Sequence, residues 1–117
     1  MNSVDPFLDR VYVPGRYTCL DHAAEVWLSI TGTPLHIDIQ RFLKQHSISK
    51  EARGQYKRIQ DPVSPCLVVF RSHTSSHIGV FIRGKVLHLT ERDGVQYVPL
   101  HVVTTWFKVV RFYAQHT

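Results

Sequence analysis

Asp61-Pro62-Val63-Ser64-Pro65 divides this chain into two parts that cannot share one secondary structure. Each proline fixes φ, removes an N–H donor and pushes the residue before it out of the helical region. No helix can run through that segment. The residues before it carry a helical period, and those after it read as strands.

On the N-terminal side, Leu20, Ala23, Ala24, Trp27, Leu28 and Thr31 recur at helical spacing. This predicts a helix over 19–31 with one apolar face. Thr18 and Asp21 fit a capping box at its start, while Gly32 and Pro34 end it. A second, weaker apolar face formed by Ile37, Ile39, Phe42 and Leu43 predicts a helix near 37–45. Residues 47–60 are polar and basic and read as a short helix or a loop. Ahead of the first helix, Val11-Tyr12-Val13 is a short extended piece and Pro14-Gly15 a turn.

Beyond Pro65, the apolar run from Cys66 to Arg71 predicts a central strand. His77 to Arg83 predicts the next strand. A tight turn at Arg83-Gly84-Lys85 returns the chain as Lys85 to Thr90. Asp93-Gly94 precedes a strand over 95–98, residues 99–105 form a turn or one helical turn, and 106–113 form a last strand. Helices first and an antiparallel meander after them is an α+β architecture. At 117 residues the expectation is one domain, 1–117.

Composition excludes several classes. No apolar run approaches the ~20 residues of a membrane-spanning helix. Met1 to Val13 contains Asp5, Asp9 and Arg10 and no apolar segment, so it does not read as a secretory signal. The net charge of +5 suits an anionic partner such as a wall polymer, nucleic acid or anionic lipid. Lys44, Lys50, Arg53, Lys57 and Arg58 supply much of it, and their plainest reading is a solvated basic face. With no zinc-finger spacing, RNA-binding sheet signature or recognition helix, nucleic acid is disfavoured. Cys66, leading an apolar strand, reads as a small core residue.

Cys19 is the candidate nucleophile. The first helical position puts its sulfur near unpaired backbone N–H groups and the positive end of the macrodipole, both of which favour the thiolate. His77 is the candidate general base. If 82 and 85 flank the turn, 79 and 88 face each other, and His77 and His88 lie diagonally within side-chain reach. His88 can then fix the orientation and tautomer of His77. A competing reading, Cys19 and His22 joined by two strand histidines around a metal, lacks a known ligand spacing. The expected chemistry requires no cofactor.

Tyr17-Thr18-Cys19, continuing through Ala23-Ala24-Glu25-Val26-Trp27 to Thr31-Gly32, resembles the nucleophile helix of the NlpC/P60 superfamily. His77-Ile78-Gly79-Val80-Phe81 resembles its histidine strand, and Gly84-Lys85-Val86-Leu87-His88 the hairpin return bearing its third catalytic residue. The resemblance spans most of 17–113 and is strongest to compact members from phages and prophages. It implies a papain-like fold, with N-terminal helices packed on an antiparallel β-meander. It implies a cysteine peptidase or amidase with catalytic residues Cys19, His77 and His88, acting on peptidoglycan stem peptides. Tyr17, Thr18 and Asp21 would contact substrate. The family's common Asp-Cys-Ser-Gly motif is replaced here by Thr18-Cys19-Leu20, with Asp21 one position beyond. The alternative is a catalytically altered module, such as a phage tail or assembly component with tail proteins as partners. The resemblance places the protein in the host cytoplasm or the virion, acting in the periplasm after delivery.

Overall fold

The computed structural model describes residues 3–35, 56–72, 76–107 and 109–115. A 3-10 turn at Asp5–Phe7 precedes helix α1, Cys19–Thr31. Five strands follow: β1 Tyr56–Ile59, β2 Cys66–Arg71, β3 Ser76–Ile82, β4 Lys85–Thr90 and β5 Gly94–Pro99. A single helical turn, α2 Leu100–Val103, leads to β6 Val109–Gln115. All strand pairs are antiparallel, and the spatial order is β1-β6-β2-β3-β4-β5.

Alternation along the strands sorts side chains onto two covered faces. Leu67, Val69, Ile78, Val80, Ile82 and Leu87 meet Leu20, Ala23, Val26 and Trp27 of α1. On the other face, Cys66, Val68, Phe70, Phe81 and Val86 pack with Val103 of α2. β2 is buried from Cys66 to Phe70 because both of its faces are covered, which accounts for its unbroken apolar sequence.

The papain-like arrangement expected from the sequence, with N-terminal helices on a meander, is overturned. The described chain is mostly a six-stranded antiparallel sheet, with one helix longer than a single turn. The sheet is not a simple meander, because β6 inserts between β1 and β2. The stretch read as a short helix or loop ends in β1, which pairs Tyr56 with Gln115 and Ile59 with Phe112. A four-residue edge strand with two exposed positions is held by backbone pairing to β6, so its sequence carries almost no apolar alternation. The helix expected near 37–45 lies outside the described residues.

Other expectations agree with the structure. α1 begins at Cys19 and ends at Thr31, with Gly32 in the left-handed region at φ 73°. Ile82 pairs with Lys85 across a two-residue turn, Arg83 and Gly84, both at positive φ. That turn matches the right-handed twist of the strands it joins and fixes the register of β3 against β4.

Candidate active site

The start of α1 is closed by Asp21. Its Oδ2 accepts from the Thr18 backbone N–H at 2.8 Å and from the Thr18 hydroxyl at 3.1 Å. This cap places Cys19 at the first helical position, 8% exposed. The thiol faces the backbone N–H groups of Ile78 on β3 and of Leu20 and Cys19 itself. Those donors favour the thiolate, as expected of a helix start. Burial opposes them and is the larger effect, so the Cys19 thiol is held above its ordinary pKa. The resting group is therefore a thiol, contrary to the thiolate expected from the sequence, and it needs a base to lose its proton.

His77 near the start of β3 and His88 on β4 form a coupled imidazole pair, and His77 shares a pocket with Cys19. His77 Nε2 lies 2.7 Å from His88 Nδ1, with the rings edge to face at 4.9 Å. Phe107 lies parallel to the His77 ring at 6.0 Å, and Phe70 stacks on it at 5.8 Å. His88 is 1% exposed. Burial, reinforced for His77 by its neighbour His88 and for both by His22, pushes both pKa values well below the usual imidazole range. Both rings are neutral at neutral pH, so one carries the shared proton and the other accepts it. With the proton on His77 Nε2, Nδ1 of that ring is bare and able to act as a base.

Gly79 makes the pairing possible. A β-carbon there would sit 2.9 Å from both the His88 Cβ and the Leu87 carbonyl oxygen. The missing side chain leaves room for the His88 ring to lean towards His77 on the same face.

A pocket of about 270 Å³ joins the two halves of the site. Cys19 and His77 both line it, together with Tyr12, Ser76, Leu89, Thr90, Glu91 and Phe107. His88 stands behind His77 as its hydrogen-bond partner. A larger depression of about 460 Å³ beside β1 and β6 is lined, among the described residues, by no cysteine, histidine or carboxylate.

Tyr17, Thr18 and Asp21, expected to contact substrate, are otherwise engaged and do not line this pocket. Asp21 is occupied by the helix cap. The Tyr17 ring packs edge-on against His22. Burial, with the nearby Glu25 carboxylate, pushes its phenol up to about 12. His22 is fully buried, and its Nε2 lies 3.0 Å from the Phe7 carbonyl, tying the N-terminal turn to α1. Among the described residues no three histidine, cysteine or carboxylate side chains converge as metal ligands.

Sequence reasoning missed Tyr12, Glu91 and Phe107. Tyr12 belongs to the short piece read only as extended. Its hydroxyl is raised in pKa by burial and by the proximity of Cys19 and Glu91, which puts it near both. The composition of 106–113 predicts a last strand, but that strand is Val109–Gln115, and Phe107 instead covers His77. No family model and no curated protein matches this chain.

Proposed function

We propose that this protein is a thiol hydrolase that cleaves amide bonds through an acyl-enzyme on Cys19. The observation that carries this reading is the 2.7 Å contact between His77 Nε2 and His88 Nδ1, behind a pocket that His77 shares with Cys19. His88 orients His77, and the free Nδ1 of His77 takes the thiol proton as sulfur attacks the carbonyl. The Cys19 backbone N–H at the helix start stabilises the developing oxyanion. His77 returns the proton to the leaving amine, and water then hydrolyses the thioester. Because the thiol is raised and the imidazole lowered, the resting pair is neutral and proton transfer accompanies attack.

Peptidoglycan stem peptides are the substrate class suggested by the resemblance to NlpC/P60 hydrolases around Cys19, His77 and His88. A basic protein of net charge +5 suits an anionic wall. The test is the rate of Cys19 alkylation against pH, with and without His77→Ala, followed by release of soluble peptides from purified cell walls. Cys66 is fully buried and pushed up to about 11, so alkylation of the folded protein reports Cys19. Alkylation slowed by His77→Ala, with peptide release abolished by Cys19→Ala, is the expected result. An alkylation profile indifferent to His77 would overturn the reading.

A second reading is favoured by the burial of Cys19: a module that has lost catalysis and serves as a phage tail or assembly component. It predicts no peptide release and a stable complex with a tail protein.

A further inference from the structure

The described lining of the pocket around Cys19 differs in charge from the chain as a whole. The chain carries +5 overall, yet among the described residues that line the pocket Glu91 is the one with a formal charge at neutral pH. Cys19 is held as a thiol and His77 as neutral imidazole by burial. Tyr12, Ser76 and Thr90 are neutral, and Leu89 and Phe107 provide apolar walls.

Glu91 is exposed at the pocket's rim, on a turn that Thr90 closes. The Thr90 hydroxyl donates to the Gly94 carbonyl at 2.8 Å and accepts from the Asp93 N–H at 2.9 Å. These two bonds close the turn on which Glu91 stands. Among the described residues the ion pairs are those of Arg10 with Asp9 and Glu25, and none involves Glu91. Tyr12, Cys19 and Glu91 line the same pocket, and burial first, then Cys19 and Glu91, raises the Tyr12 phenol. A carboxylate beside low-dielectric walls focuses a negative potential into the space it borders.

We propose that Glu91 makes this pocket a cation-selecting subsite, so that the amide cleaved at Cys19 lies beside a protonated amine of the substrate. The inference rests on the hydrolase reading for the word "cleaved", but the charge selection itself does not need turnover. The substrate class it defines is a peptide bearing an ammonium group next to the scissile bond. Acylation of that amine removes the selected charge and weakens binding.

The test uses two thiol reagents of matched size and opposite charge on the full chain: trimethylammonium-ethyl methanethiosulfonate and its sulfonate-ethyl counterpart. Each transfers its thioalkyl group to the Cys19 thiolate and releases methanesulfinate. Rates are followed by mass spectrometry at low salt and normalised to those of β-mercaptoethanol. The normalised cation-to-anion ratio is expected to exceed unity by roughly three- to tenfold, as one nearby charge would give. Glu91→Gln should bring it close to unity, and Glu91→Lys should invert it. Asp93→Asn, in the same turn but off the pocket, should leave it unchanged.

A ratio near unity in the wild type, or one unmoved by both Glu91 variants, overturns the proposal. So does an equal response to Asp93→Asn, which would mark a general surface field. Failure of both reagents to modify Cys19 also overturns it, since the pocket would then admit no side-chain-sized group. Failure of the hydrolase reading is separate: no peptide release from cell walls, with charge selection at Cys19 intact.

Discussion

Gly79 and His88 together decide whether the base can exist. A methyl group at Gly79 would push on the Leu87 carbonyl and the His88 Cβ at 2.9 Å, neither of them a flexible side-chain end. Gly79→Ala should therefore cost about 1–3 kcal/mol in urea unfolding, as overpacking does. It should also slow Cys19 alkylation by separating the two imidazoles. His88→Asn and His88→Leu test the pairing directly. An amide oxygen can only accept from His77 Nε2–H, which leaves Nδ1 bare, so His88→Asn should keep most of the alkylation rate at neutral pH. His88→Leu removes the partner and should lower the rate by roughly tenfold to a hundredfold. Equal losses in the two variants would show that His88 merely fills space. The 77–88 pairing was legible because a two-residue turn at Arg83-Gly84 dictates which residues face each other. The raised thiol was not, because its burial is imposed by residues distant in sequence, such as Ile78 and Leu89. Tyr12 stands in an irregular stretch and Glu91 on a turn, where no period marks which side chains converge.

The cap of α1 links stability to position at the scale of elements. Asp21→Ala removes the acceptor for the Thr18 N–H and hydroxyl. It should destabilise the protein by about 1 kcal/mol, read as a lower urea midpoint at unchanged slope. Asp21→Asn retains an acceptor oxygen and should cost less. α1 was legible to the residue because its apolar period, cap and terminal glycine agree. β1 was not legible: Tyr56 is buried while Lys57 and Arg58 are exposed, too short a pattern to reveal a strand. The same limit undid the expected architecture. Period distinguishes helix from strand within a segment, but it does not say that β6 returns to the middle of the sheet. The residues just before β6 show the cost of that gap. Trp106 and Phe107 read as strand by composition, yet Phe107 has left the sheet to stack on His77.

Across the whole molecule, buried titrating groups set a pH window for stability. His22, His77 and His88 have folded pKa values depressed by burial. Their unfolded forms bind protons first as pH falls, so stability declines below about 6.5. Cys19 and Cys66 are raised by burial. Their unfolded forms ionise first as pH rises, so stability declines above about 8.5. The melting temperature should be highest between those limits, and His88→Asn should flatten the acid side. A melting temperature that kept rising as pH fell towards about 5 would show that these histidines are not buried neutral.

The central place of β6 also bears on when the fold can close during synthesis. β2 to β5 are joined by short local connections and can pair as they leave the ribosome. Among the described residues β1 pairs with β6 alone, and β2 has β6 along its second edge. Until residues 109–115 emerge, the β2 edge stays open and β1 lacks the one strand it pairs with among the described residues. A nascent chain stalled before Val109 would thus hold Cys19, His77 and His88 in an unfinished sheet, open to capture by chaperones.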